Sequence, residues 1–341
     1  MVKMSILDLI PVREGQTTGQ ALSASIGLAK AADQCGFTRY WVAEHHNAAA
    51  VASTNPAVLI ALFASRTENL RIGSGGVMLP NHAPLAVAEQ FALLEAAFPG
   101  RIDLGIGRAP GTDPVTSWAL RSGRGDETLR EFPSWVEQVI ALLDDGGLGV
   151  QVGGRTFELH ATPQAASAPP VWLLGSSDYS ARLAAQMGLP YVFAHHFSGQ
   201  GTAAALGLYR DSFAGPGEPR TFLTVNVSVG HSMDEARELA LPYQVSMARL
   251  RSGQPMTPLL SVEQASAAEP PLSGPVWDQL IEPWLIGDPD QVAGQIEELA
   301  SQFDVDEVMI HPIAGARDTD PLDQVPAREF AVRELGERLA G

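Results

Sequence analysis

The chain has a single cysteine, Cys35, so it has no means of forming an intrachain disulfide or a multi-cysteine metal centre. Its neighbours Ala31, Ala32, Gly36 and Phe37 describe the setting of a small buried thiol. Basic residues are scarce as well: 22 Lys+Arg stand against 39 Asp+Glu, a formal charge of −17. Such a balance repels phosphate backbones and anionic surfaces, so neither nucleic acid nor a membrane is an expected partner. A local anion site is still allowed, because a few amides and one or two cations act against the global sign. Nowhere does an apolar run reach the roughly 18 residues of a membrane span. The opening MVKMSILDLIPVREGQ meets charge and proline too early for a signal peptide, and a cytoplasmic location is expected.

Hydrophobic residues make up 45% of the chain and charged ones 18%, enough apolar material for a large core. At 341 residues the length suits one α/β barrel, which takes about 250 residues plus insertions. Short β-rich runs alternate with amphipathic stretches. The strands are expected over Ser5–Pro11, Thr38–Glu44, Leu70–Val77, Arg101–Gly107, Val171–Leu174, Pro190–Ala194, Thr221–Gly230 and Asp304–His311. The helices between them are expected over Thr18–Cys35, Asn55–Arg66, Pro84–Phe98, Glu127–Leu143, Ser177–Met187 and Thr202–Phe213. A seventh opens at Met233–Glu238, and the last covers Pro326–Leu339. Eight strand-then-helix units predict a closed (β/α)8 TIM barrel in one domain, residues 1–341. An open doubly wound sheet usually begins with a glycine-rich turn after its first strand, where this chain has IPVREGQ. Two stretches interrupt the rhythm as insertions in the βα loops, about 146–170 with a hairpin-like QVGGRTFEL, and about 250–289.

Reactive residues of such a barrel sit where strands end and βα loops begin. The second strand runs into WVAEHHN, where strand alternation lets at most one of His45 and His46 line the mouth. The third passes through IGSGGVMLPNHAP, in which Gly75 and Gly76 leave the backbone bare, either for a flat ligand or for a barrel-corner bend. Arg108 follows the fourth strand in GRIDLGIGRAPG, and a guanidinium there suits a phosphate or carboxylate. The fifth strand passes through Gly175 into a helix whose first turn offers Ser176, Ser177 and Ser180. Amides, hydroxyls and the positive helix end together make an anion site. Arg108 and this serine turn follow successive strands, so both are expected to grip one phosphate.

Several longer stretches resemble the bacterial-luciferase-like, flavin-dependent monooxygenases, in order and over nearly the whole chain. They are FTRYWVAEHHN, IGSGGVMLPNHAPLAVAEQF, PGRIDLGIGRAPGTD, VWLLGSSDYSARLAAQMGLPYVFAHHF and LIGDPDQVAGQIEEL. The resemblance implies that Arg108 and the turn at Ser176, Ser177 and Ser180 hold the FMN phosphate. It also implies that His45 takes the place of the luciferase catalytic histidine, and that Gly75–Gly76 forms a non-prolyl cis peptide under the flavin. Two departures set light emission and aldehyde specificity aside: Gly107 stands where luciferase has a reactive cysteine, and Ser176 where it has a glutamate.

The expected activity is therefore oxygenation of a small organic substrate with reduced FMN and dioxygen, His45 moving a proton at its ordinary pKa of about 6.5. NAD(P)H supplies the electrons, directly or through a flavin reductase as partner. The 250–289 insertion, with Trp277 and Trp284, is read as a lid. Two other readings keep the fold: hydride transfer with a deazaflavin, and flavin binding without turnover. A metal-dependent hydrolase would have to rest on His45, His46, His195, His196 and His311. Paired histidines on a strand chelate poorly, so no metal is expected, and His195 and His196 are read as lining the substrate side. Helices Asn55–Arg66 and Pro84–Phe98 are apolar over more than one face, which predicts a homodimer through that side.

Overall fold

A computed structural model describes residues 2–125, 129–197, 199–268 and 274–339. The first half of the ring is built from β1 (Lys3–Asp8), α1 (Thr18–Gln34), β2 (Arg39–Val42), α2 (Pro56–Ala64), β3 (Arg71–Ser74), β4 (Val77–Met78), α3 (Pro84–Ala97) and β5 (Ile102–Gly107). After α4 (Pro114–Leu120), α5 (Phe132–Leu143) and the hairpin β6 (Leu148–Val152) and β7 (Arg155–Leu159), the ring resumes. It continues with β8 (Val171–Gly175), α6 (Asp178–Met187), β9 (Tyr191–Phe193), α7 (Thr202–Asp211), β10 (Thr221–Val229) and α8 (Met233–Arg251). The chain ends with α9 (Val262–Ala267), α10 (Pro275–Ile281), β11 (Leu285–Gly287), α11 (Pro289–Phe303), β12 (Glu307–Pro312) and α12 (Pro326–Leu339).

Local chemistry sets these boundaries. Asn55 accepts from the Val58 amide and Pro56 opens α2, where its missing N–H costs nothing. Thr17 with Gln20, and Asp288 with Gln291, form reciprocal caps on α1 and α11. Gly153 and Gly154 both adopt positive φ, the geometry of a two-residue hairpin turn between β6 and β7.

Parallel pairing runs β1–β2–β3–β5–β8–β9–β10–β12 and returns from β12 to β1, so the sheet closes on itself as the eight-stranded barrel expected. Strand parity stacks the interior in layers. At the N-terminal end Arg39 donates to Asp103 at 2.7 Å and to Glu307 at 2.6 and 3.0 Å, while Ser5 donates to Glu307 at 2.6 Å. Above them lie Leu7, Trp41, Trp172, Val192, Phe222 and Met309. Further along β10 and β12, on the same faces as Phe222 and Met309, come Thr224, then Asn226 and His311 side by side.

The structure departs from the sequence expectations in several places. The third strand breaks at a cis Gly75–Gly76 bond into β3 and β4. α5 starts at Phe132, and Glu127 of its expected start lies outside the described residues. α4 and α11 had not been expected. Among the described residues of the insertion at 250–289 are the end of α8, which runs through Pro242 to Arg251, the short helices α9 and α10, and β11, which pairs with the end of β10. Trp284 is buried against Ala240, Met247 and Ile313 and lies 5.4 Å from the Tyr243 ring, so it anchors this segment as part of the core.

Candidate active site

β5 and β8 are hydrogen-bonded neighbours, which brings the residues following each strand together. The Arg108 guanidinium carbon sits 3.9 Å from the centroid of Tyr179, in the first turn of α6. Arg108 is exposed and forms no ion pair among the described residues. Ser176 and Ser177 are exposed beside it, and the hydroxyl of Ser177, the N-cap of α6, makes no cap bond. Asp178 occupies the same first turn and opposes a second anion, so a phosphate here depends on the arginine and the serine hydroxyls rather than on the helix end alone.

Ser180 is used differently from its two neighbours. Its hydroxyl donates to the Ser177 carbonyl at 2.8 Å and lies 3.2 Å from the Tyr191 hydroxyl. A Cβ on Gly175 would come within 2.1 Å of that oxygen, so glycine is what lets the strand turn directly into the helix. Burial pushes the Tyr191 phenol up to about 12, so it stays protonated. Ser180 thus braces the turn with its side chain.

Gly75 and Gly76 lie where the chain crosses from β3 to β4. A Cβ on Gly75 would approach Leu7 to 2.8 Å, and one on Gly76 would approach Leu174 to 2.4 Å and the Gly105 carbonyl to 2.8 Å. The Gly105 backbone therefore demands glycine at Gly76, whereas a side chain at Gly75 would have to displace the end of Leu7.

The histidines divide into props and mouth residues. Glu44 is fully buried and accepts from His46 Nε2 and His82 Nε2, both at 2.8 Å, and from the Met78 amide at 3.0 Å. Burial raises its pKa, yet the donors from His46 and His82 outweigh this and hold the carboxyl at about 2. His46 is thereby a prop, while His45 has a buried Nδ1 with no partner. Burial lowers the pKa of His45 against the pull of Glu44. His195 is also a prop, 2.8 Å from Thr202 Oγ1 and packed on Phe303, a correction to its expected place on the substrate side. His196 does reach the mouth, its Nδ1 on Thr224 Oγ1 and its ring 6.3 Å from that of His311. Burial, reinforced by the neighbouring imidazoles of His195 and His45, brings His196 down to about 3.

Sequence reading missed the setting of His311, which had been weighed only as a metal ligand. Among the described residues no three His, Cys, Asp or Glu side chains converge as ligands. Instead His311 Nδ1 meets Asn226 Oδ1 at 2.9 Å, with Tyr243 edge-on at 5.1 Å. The signal was available: Glu307, Met309 and His311 share one face of a strand by alternation.

Residues 2–305 match the family described as luciferase-like monooxygenase. A luciferase-like monooxygenase of Escherichia coli (strain K12) is 38% identical over 318 residues, 91% of each chain. The N-acetyl-S-alkylcysteine monooxygenase of Bacillus subtilis (strain 168) is 32% identical over 321 residues, 93% of this chain and 94% of its own. Among solved structures, apo-MsnO8 superposes with a TM-score of 0.85 at 33% identity, covering 99% of both chains. Two more distant barrels share the fold. One is the oxygenating constituent of 3,6-diketocamphane monooxygenase of Pseudomonas putida in complex with FMN, with TM-score 0.74 at 18% identity over 100% of this chain and 98% of its own. The other is an F420-dependent secondary alcohol dehydrogenase, with TM-score 0.70 at 14% identity over 99% of this chain and 98% of its own. The chain therefore belongs to the luciferase-like monooxygenase family.

Proposed function

We propose that this barrel binds FMN at its C-terminal mouth and oxygenates a small organic substrate with dioxygen. The observation that carries the reading is Arg108 stacked on Tyr179 beside free serine hydroxyls, at the junction of β5 and β8. An exposed guanidinium without a carboxylate partner, next to Ser176 and Ser177, fits a phosphate monoester. Gly75–Gly76 leaves a wall without side chains for the ring system, and Gly175 lets the serine turn follow closely on its strand.

Reduced flavin, when bound, supplies the electrons that send one oxygen atom of dioxygen to the substrate and the other to water. Arg108, Ser176 and Ser177 bind and orient its phosphate. His45, neutral at physiological pH, holds or moves a proton at Nε2, its Nδ1 being buried without a partner. The apolar layer of Trp41, Trp172 and Phe222 closes the barrel beneath and keeps water out.

The relatives that support this reading include one named for N-acetyl-S-alkylcysteine oxygenation and a more distant barrel solved with FMN. NAD(P)H, used directly or through a flavin reductase, is the proposed electron source, and the cytoplasm the proposed compartment. No helix among the described residues is long and apolar enough to cross a membrane. A homodimer through α2 and α3 is proposed from Val58 and Leu93, which lie 65% and 57% exposed there. The second reading, a deazaflavin coenzyme, is favoured by the fold shared with the F420-dependent dehydrogenase.

Parallel titration of the protein with FMN and with F420 separates the two. Selective FMN binding is expected, followed by incorporation of label from 18O2 into a product when a reductase and NADPH are supplied. Selective F420 binding, or label confined to water across a substrate panel, contradicts the proposal.

A further inference from the structure

The upper layer of the barrel fixes the position of one proton. Asn226 Nδ2 donates to the His196 carbonyl at 3.0 Å, which orients the amide. The amide oxygen is thereby turned toward β12, where it lies 2.9 Å from His311 Nδ1. An amide oxygen can only accept, so Nδ1 carries the hydrogen. The groups around the ring are His196 after β9, His45 after β2, Arg328 of α12, Asp8 of β1 and Tyr243 of α8. Burial, with the positive charge of Arg328, outweighs Asp8 and keeps the imidazole neutral.

A neutral ring protonated at Nδ1 has a lone pair at Nε2. That atom makes no hydrogen bond to any described residue, although His311 is only 3% exposed. His311 lies above Met309 on the inward face of β12, and its ring stands 6.3 Å from that of His196. The opposite polarity comes from His45. Its Nδ1 is buried without a partner, and leaving an acceptor unmatched costs less than leaving an N–H unmatched, which favours the hydrogen on Nε2.

We propose that His311 Nε2 accepts a hydrogen bond from an O–H or N–H of the substrate, with Asn226 as the positioning residue that keeps this atom an acceptor. The inference rests on the monooxygenase reading, which it deepens by naming the substrate class: a molecule carrying a neutral hydrogen-bond donor near the atom to be oxidised. A carboxylate or an ether at that point would set lone pair against lone pair. A substrate donor lost from such a contact leaves Nε2 without that partner, which sets a donor-bearing substrate apart from its ether.

Two measurements on the FMN-loaded full chain test this. Selective 15N-histidine NMR is expected to show His311 protonated at Nδ1 and bare at Nε2, and Asn226→Ala is expected to release that preference. A bare Nδ1 in the wild type, or a tautomer indifferent to Asn226→Ala, overturns the proposal. Matched alcohols and methyl ethers, and matched secondary and tertiary amides, are then compared by thermal shift and titration. Donor-bearing members should bind at least about tenfold more tightly, and His311→Phe should abolish the difference while His195→Phe preserves it. Equal affinity within pairs, a preference that survives His311→Phe, or failure of every donor-bearing member to bind counts against it. FMN affinity, followed separately by fluorescence, distinguishes this failure from failure of the flavin reading.

Discussion

The guanidinium carbon of Arg108 lies over the Tyr179 ring, 3.9 Å from its centroid. The contact joins the end of one strand to the start of the helix after its neighbour, and it holds the cation without neutralising it. A ring face leaves all five guanidinium N–H donors free at the edge, which a carboxylate partner would not. Arg108 is thereby preorganised for an anion that arrives with a ligand.

His45 provides the clearest separation of chemistry from binding. Replacing it with Ala should lower turnover on the order of a hundredfold to ten-thousandfold, with FMN affinity close to wild type. Steady-state rates and fluorescence titration on the same variant check this. A parallel fall in both quantities would show that His45 only supports the cofactor.

Acid should destabilise the fold early. Burial lowers His195 to about 4 and His196 to about 3, so below the unfolded value of about 6.5 the unfolded chain binds protons that the folded chain refuses. Stability is fully present above pH 6.5 and is lost as pH falls toward those folded values, by about 1.4 kcal/mol per pH unit for each such histidine. Glu44, held at about 2, adds a further loss between its ordinary range and that value. Denaturant melts between pH 7 and 4 should show this slope, and His196→Gln should reduce it. A flat profile would mean that His195 and His196 protonate in place.

Much of this architecture was legible in the sequence, for identifiable reasons. Pro56 behind Asn55, Gly153–Gly154 between β-rich runs and Ser177 after a strand each have one good local conformation, and the structure uses it. α11 was lost inside LIGDPDQVAGQIEEL because Asp288 and Pro289 looked like loop residues rather than a cap and a first turn. The mouth was legible only in part. Arg108 and the serine turn announce themselves by position, whereas the tautomer of His311 depends on Asn226, 85 residues away in the chain. Local pattern carries no information about such a pairing.

The Gly175 turn makes a stability prediction. Gly175→Ala places a methyl 2.1 Å from Ser180 Oγ and should cost about 1–3 kcal/mol. Ser180→Gly removes the obstructing side chain at the helix-propensity cost of about 1 kcal/mol. The double variant should then be more stable than the sum of the two losses predicts. Strict additivity in urea melts would place the two residues out of contact.

At the closed end of the barrel, Asp103 accepts from Arg39, Arg71 and the Trp41 indole while fully buried. Asp103→Ala removes the shared acceptor of Arg39, Arg71 and the Trp41 indole while Arg39 keeps Glu307, at a cost of about 1–3 kcal/mol. The mouth is two layers away, so FMN affinity of the surviving folded fraction should be unchanged. Calorimetry with cofactor titration tests both halves of the statement.

The cofactor grip itself is tested most directly by titrating wild type and Arg108→Ala with FMN and with riboflavin, which differ only by the phosphate. The account predicts that the variant loses about tenfold to a hundredfold in FMN affinity and nothing toward riboflavin. Equal losses for the two ligands, or none for either, would contradict it.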